Sequence, residues 1–187
     1  FEIGESFSSP LEFCSAGTGY WLDISVWEVL NGSIWVPAAY TPTALDNVIT
    51  IRAGDTIYTN GVTIPADEII VDGTFIFENV ESEINLQDGP GTDLLVNGRL
   101  LLIEGTKISG TGTIEFTSGS QLYLLGGVMD GTFITNILAG ASVSVTDSIS
   151  SNPSQLWNLT INNFSDDFVI SSAGLMLNDA ILNNSGI

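Results

Sequence analysis

The sequence contains no histidine and a single cysteine, Cys14, among its 187 residues. A Ser-His-Asp triad and a Cys-His pair both need an imidazole, so this chain can form neither. Zinc sites built from His and Cys are excluded for the same reason. A single cysteine also leaves no disulfide within the chain. We therefore expect a fold that is held together by packing and backbone hydrogen bonds.

Basic residues are almost as scarce as histidine. Lys and Arg number 3 against 22 Asp and Glu, which gives a formal net charge of −19. A surface this anionic repels phosphate backbones and acidic lipid headgroups, so we expect no nucleic acid among the partners. No apolar run approaches the roughly 18 residues of a membrane helix, so we also expect no membrane insertion.

A short phrase recurs along the chain: an apolar strand, a turn closed by glycine, and a second strand. The copies read IIVDGTFIFEN, LLVNGRLLLIEG, SGTGTIEF and VMDGTFIT, and they place Gly73, Gly98, Gly112 and Gly131 at intervals of 14 to 25 residues. Asp-Gly and Asn-Gly adopt positive φ at low steric cost, so the chain can turn a corner there. Helical periodicity with plausible caps is absent. The pattern predicts an all-β chain whose repeats are the coils of a solenoid.

In a parallel β-helix, stacked coils about 4.8 Å apart bury together what one coil cannot bury alone. We expect such coils over residues 46–187. The predicted inward column consists of Ile70, Phe75, Leu95, Leu100, Ile114 and Leu122. An antiparallel sandwich is the alternative, and it predicts two-residue hairpins at the Asp-Gly sites. The unequal glycine intervals favour coils with corner loops of variable length.

Residues 1–45 differ in composition and contain three of the four tryptophans, Trp21, Trp27 and Trp35. The open end of a solenoid exposes strand edges that invite aggregation, so we interpret this segment as an aromatic-rich N-terminal cap. The alternative is a row of indoles that stack on the sugar rings of a glycan. Because the chain starts at Phe1 without methionine, we expect a processed N-terminus, and we expect further coils beyond Ile187.

Residues 20–105 also resemble known proteins. The matched positions are Trp27, Pro42, Asp46, Asn47, Val48, Ile51, Gly54, Thr56, Ile57, Val71, Gly73 and Thr74. They are similar to the opening of many secreted Bacteroidetes surface proteins and to the eight-glycine extracellular domain that begins some animal β-helices. The resemblance implies a right-handed parallel β-helix, type IX secretion and a place at the cell surface. A thinner glycine pattern departs from it.

Asp166 and Asp167 are the acidic pair that we considered for chemistry. Adjacent strand residues point to opposite faces, so the pair does not suit a joint acid and base. Calcium is the one cofactor that we consider, since it binds carboxylate and amide oxygens. Two groups could hold it: Asp166 and Asp167 beside Asn158, Asn162 and Asn163, or Asp88 and Asp93 upstream. Stacked Asx side chains that bond one another are the alternative, and we favour them.

We predict a non-enzymatic β-helical segment of a large secreted cell-surface protein, acting as an adhesin, structural fibre or stalk. Its partners would be cell-surface glycans or other surface and secretion proteins. One alternative is the N-terminal part of a polysaccharide-degrading enzyme whose catalytic coils lie downstream, and another is a trimeric tail-spike-like fibre. Three bases, spread from Arg52 to Lys107, leave little for the cationic site that a uronate lyase needs, which favours the adhesin.

Overall fold

The computed structural model describes residues 10–146, 153–170 and 175–185. In these ranges the chain consists of short strands, together with a single 3-10 turn at Ile24–Val26. No helix there is long and apolar enough to cross a membrane. The strands are β1 (Phe13–Ser15), β2 (Gly19–Tyr20), β3 (Trp27–Asn31), β4 (Ile34–Pro37), β5 (Ile49–Ile51), β6 (Thr56–Asn60), β7 (Thr63–Ala66), β8 (Ile69–Val71), β9 (Thr74–Glu78), β10 (Glu83–Leu86), β11 (Leu94–Val96), β12 (Arg99–Ile103), β13 (Lys107–Phe116), β14 (Gln121–Leu125), β15 (Val128–Ile137), β16 (Ser142–Thr146), β17 (Ser154–Trp157), β18 (Thr160–Asn163), β19 (Asp167–Ile170), β20 (Leu175–Asn178) and β21 (Ile181–Asn184).

From β5 onward the strands follow one another round three faces, and each pairs in parallel with the strand one coil away. The first face contains β5, β8, β11, β18 and β21, and the second contains β6, β9, β12, β14, β16 and β19. The third contains β7, β10, β17 and β20. The long strands β13 and β15 turn a corner, so their first halves lie on the third face and their second halves on the first.

The predicted all-β parallel β-helix is confirmed, and the described pairing excludes an antiparallel sandwich. About six turns are traced by one column of the first face: Ile49, Ile69, Leu94, Ile114, Thr135, Ile161 and Leu182. Because each amide edge is paired with the next coil, a short strand is stabilised by its neighbours rather than by its own length.

The core is formed by inward columns on all three faces. The predicted inward positions Phe75, Leu100, Ile114 and Leu122 are buried. The predictions for Ile70 and Leu95 are wrong, because both are half-buried and point outward in the column of Thr50 and Glu115. The strands IIV and LLV are apolar at every position, so alternation could not assign their faces. Their inward residues are Ile69, Val71, Leu94 and Val96.

The repeated glycines belong to more than one corner. Gly73 and Gly98 follow β8 and β11 at the same corner, where their amides donate to Ile51 O at 3.0 Å and Val71 O at 2.7 Å. A Cβ on Gly98 would lie 2.0 Å from the carbonyl oxygen of Gly73, so the backbones approach too closely for a side chain. Gly131 pairs instead with Gly110, at the corner inside β13 and β15. The four glycines therefore mark coils, as predicted, without forming one series. The positive φ expected of them is found at Gly112 but not at Gly73, Gly98 or Gly131, so the prediction of left-handed turns at these three positions is wrong.

The first segment covers the N-terminal edge of the solenoid. Strand β1 pairs in parallel with β5 on one side and antiparallel with β3 on the other, and β3 forms a hairpin with β4. Stacking thus begins within the predicted cap, since β2 also pairs with β6. The hairpin ends at Pro37, which lacks an amide N–H, and a proline on an edge strand disfavours pairing with another chain.

Candidate functional site

Trp21 and Trp27 form the centre of the cap and are each only 1% exposed. The Trp21 ring lies 5.1 Å from Trp27, edge to face, and 5.6 Å from Phe75, stacked. Trp27 Nε1 donates to Trp21 O at 2.8 Å, and Trp21 Nε1 donates to Pro42 O at 3.3 Å. Both indoles thus pack as cap residues, and neither has a face open to a sugar ring.

Trp35 is different, because it is 37% exposed on the edge strand β4. The guanidinium of Arg52 lies 5.2 Å from the centre of its ring and pairs with Glu28 at 3.0 Å. Sugar stacking at Trp35 stays a prediction. Cys14 is buried beside Glu28, and burial raises the pKa of its thiol to about 11. A thiol with so high a pKa is a poor nucleophile at neutral pH.

Asp166 and Asp167 are both exposed, and the amide of Asp167 donates to Ser165 Oγ at 3.0 Å. Within the described ranges, no three Asp, Glu, His or Cys side chains are grouped in a way that could hold a metal. The calcium prediction therefore has no third acidic ligand beside it and stays a prediction.

The neighbouring asparagines form the stacked ladder that we favoured. The amide of Asn162 donates to Asn136 Oδ1 at 3.0 Å and accepts from Asn183 at 2.9 Å. Asn163 donates to Asn184 Oδ1 at 2.8 Å. These amides bond to the same position of the next coil, so they stabilise the stacking.

Of the two upstream acids, Asp88 is exposed, whereas Asp93 has a structural role. Asp93 is buried and accepts hydrogen bonds from the amides of Gly89, at 3.0 Å, and Thr113. A Cβ on Gly112 would lie 2.1 Å from Asp93 Oδ2, which explains why a residue without a side chain is found at this position. Burial, and then the charge of Asp93, raise the pKa of Asp67. Asp67 and Asp93 thus form a hydrogen-bonded carboxyl pair, and Asp93 holds the corner loop through the amide of Gly89.

The second face carries the most continuous surface feature that we find in the described residues. Five outward residues stack in register from coil to coil, and we call them the outer stripe: Tyr20, Tyr58, Ile76, Leu101 and Tyr123. Tyr20 is 47% exposed, and the other four are half-buried. The Tyr20 and Tyr58 rings lie 5.8 Å apart. With coils about 4.8 Å apart, the stripe is a flat apolar strip about 19 Å long.

A polar column flanks the outer stripe on one side, whereas the other side is polar at Asn60 and Glu78 and apolar at Ile103 and Leu125. Thr74, Arg99 and Gln121 stack on one side, two residues before the stripe along each strand. On the other side, the charge of Glu78 and its hydrogen bond with the phenol raise the pKa of Tyr20. An apolar strip with a hydrogen-bonding column along one side matches a ligand that has an apolar face and a polar edge.

The Arg99 side opens into a shallow cavity of about 320 Å³, which we call the corner groove. The residues that matter here are Asp72, Gly73, Gly98, Arg99, Gly119 and Gln121. The glycines contribute no side chains, so the groove exposes backbone and the side chains of the polar column.

Sequence reasoning missed the outer stripe, because its members are 18 to 38 residues apart. The signal that could have found it is the middle residue of the strands TIYTN, TFIFE, RLLLI and QLYLL. Aligning these strands places Tyr58, Ile76, Leu101 and Tyr123 in one row.

Comparisons of the chain with protein-family models, with curated proteins and with solved structures give no match. We therefore infer function from the geometry of the chain itself.

Proposed function

We propose that this chain is a β-solenoid segment of a secreted cell-surface protein, an adhesin or stalk that presents the second face to a glycan. The outer stripe carries the proposal. Pyranose rings have one face of C–H groups and a rim of hydroxyls, so a sugar chain along the stripe would stack on Tyr and Leu side chains. Its hydroxyls would meet Thr74, Arg99 and Gln121 at the rim.

The high negative charge supports a surface role, because it keeps a long apolar-cored rod soluble. It also disfavours ligands with many negative charges, since these would be repelled along the whole rod. A mostly neutral glycan is therefore the partner that the surface fits best.

A glycan array with the purified chain tests the proposal, and the structure offers a matched pair of variants. Leu101 and Leu95 lie in the same coil, both half-buried and outward, on the second and first faces respectively. We expect Leu101→Ser to weaken binding at least about tenfold, because one buried apolar side chain contributes about 1.5–3 kcal/mol. Leu95→Ser should bind like the parent chain.

Equal loss in both variants would place the site elsewhere and contradict the proposal. Cleavage products released from an acidic polysaccharide would support the alternative, an enzyme segment. Circular dichroism of each variant checks that the fold is retained, so that a loss of binding is not a loss of structure.

A further inference from the structure

The three basic side chains differ in how their charge is balanced. Arg52 pairs with Glu28 at 3.0 Å, and Lys107 pairs with Glu83 at 3.1 Å. These are the ion pairs found among the described residues, and Arg99 belongs to neither. In a chain of net charge −19, a cation without a close carboxylate is an unexpected feature.

Arg99 is nevertheless held in a fixed position. Its Nε and Nη2 both donate to Gln121 Oε1, at 3.0 and 2.9 Å. Its guanidinium lies 5.5 Å from the centre of the Tyr123 ring. Both partners are neutral, so they orient the guanidinium without cancelling its charge. An oriented, uncompensated guanidinium is suited to recognise an anion.

The corner groove keeps this guanidinium accessible. Gly73, Gly98 and Gly119 contribute no side chains beside it, and close backbone contact makes glycine necessary at Gly73 and Gly98. Asp72 also lines the groove, and its carboxylate accepts from the Asn97 amide at 2.8 Å rather than from Arg99.

The position of Arg99 relative to the outer stripe defines what it could bind. Arg99 precedes Leu101 by two residues in β12, so it lies about 7 Å to the side of the stripe. A sugar chain stacked along the stripe would direct its ring substituents toward this column. Glu78 flanks the opposite side, where it would repel a negative substituent and so favour one orientation.

We propose that Arg99 binds an isolated carboxylate, as carried by a uronic acid, on an otherwise neutral glycan that lies along the outer stripe. This inference rests on the proposed function and adds the chemical class of the ligand. A single carboxylate gains a charge-assisted contact with Arg99, whereas a polyanion meets the carboxylates of the whole rod.

The test uses pairs of immobilised oligosaccharides that share one neutral backbone and differ by a single glucuronic acid. We expect the parent chain to bind the acidic member about tenfold more tightly, as one hydrogen bond to a charged group allows. Arg99→Gln should abolish that preference, so that the variant binds the two members with equal affinity. Arg99→Lys should fall between them, because it keeps the charge and loses the planar fork.

Lys107→Gln is the matched control, since it removes the same charge from the third face and should retain the preference. Equal binding of both members by the parent chain would overturn this inference and leave the proposed function standing. Loss of the preference in Lys107→Gln as well would also overturn it, because only net charge would then matter. If no glycan binds at all, the proposed function fails and this inference fails with it.

Discussion

The first coil of the solenoid lies under the cap, whereas the inward side chains of the last described coil are partly open. Ile170 and Leu177 occupy the same columns as Val145 and Leu156, which are 1% exposed. Yet Ile170 is 48% exposed and Leu177 50%. Similar side chains in one column thus differ in burial because of their neighbours. In this fold the next coil, rather than the pattern within a strand, decides what is buried.

At the N-terminal end the covering layer is built from different material. Two indoles and an antiparallel hairpin take the place that a further coil would occupy. Trp21 fills the space above Phe75, and β3 pairs the free edge of β1. The cap therefore supplies both kinds of contact that a coil would supply, side-chain packing and backbone hydrogen bonds.

The largest predicted effect breaks the cap directly. Trp21→Ala removes a buried indole between Trp27 and Phe75, and we expect it to lower the free energy of unfolding by about 3–5 kcal/mol. Leu177→Ala in the last described coil should lower the free energy of unfolding of this chain by about 1 kcal/mol, because half of that side chain is exposed. Urea unfolding of both variants gives the comparison. Similar losses would mean that the two ends are equally covered.

A second prediction contrasts the stacked corner with the cap segment. In Gly98→Ala the new methyl would meet Gly73 O at 2.0 Å, so the coils must shift, and we expect a loss of about 1–3 kcal/mol. Gly17→Ala in the cap meets nothing within 4 Å and should change stability by less than about 0.5 kcal/mol. Thermal unfolding of the two variants measures the difference, and an unaffected Gly98→Ala would contradict the close stacking at this corner.

A third prediction concerns the asparagine ladder near the last coil. Buried Asn163 donates to Asn184 and also accepts from the Ser165 amide at 3.1 Å, so Asn163→Ala leaves that amide without its partner. We expect a loss of about 1–3 kcal/mol. Asn162 is half-buried, so water can replace its hydrogen bonds. Asn162→Ala should therefore lower the free energy of unfolding by about 1 kcal/mol or less. A larger loss of stability for Asn162→Ala than for Asn163→Ala in urea unfolding would contradict the ladder as described.

The smallest predicted effect is a pH dependence of the cap. Burial and a 2.8 Å hydrogen bond to Asp46 raise the pKa of Tyr40 to about 12. The unfolded chain releases this proton near pH 10, so the contribution of Tyr40 is present below that pH and is lost as the pH rises toward 12. Urea unfolding at pH 9 and pH 11 should show a smaller decrease for Tyr40→Phe than for the parent. An identical decrease in both chains would mean that Tyr40 does not contribute to the pH dependence.

The architecture was predictable because its signals are local. Asp72-Gly73 and Asn97-Gly98 predict corners. Alternation of polar and apolar residues predicts which side chains face the core, as in ITIR. The faces of IIV and LLV could not be assigned in this way, because Ile70 and Leu95 have apolar neighbours on both sides. Their outward direction is set by the column that they share with Thr50 and Glu115.

The candidate site was not predictable for a related reason. The outer stripe depends on coil register, and coils of unequal length bring residues such as Ile76 and Leu101 together across 25 positions. The sugar-stacking prediction chose tryptophans, yet Trp21 and Trp27 are large apolar side chains that the open end of the core takes up. The outward tyrosines at the middle of these strands were not predicted as a site, because no single strand distinguishes them from its other residues.

The central claim is that successive coils stack in register, so that outward residues form straight columns. Pairs of spin labels on the second face test it in a Cys14→Ser background. Tyr20 and Tyr123 lie four coil steps apart, and Tyr20 and Val169 lie six steps apart. The backbone separations should be about 19 and 29 Å, in proportion to the number of steps. Distances that do not rise with the number of coils would contradict the stacked solenoid.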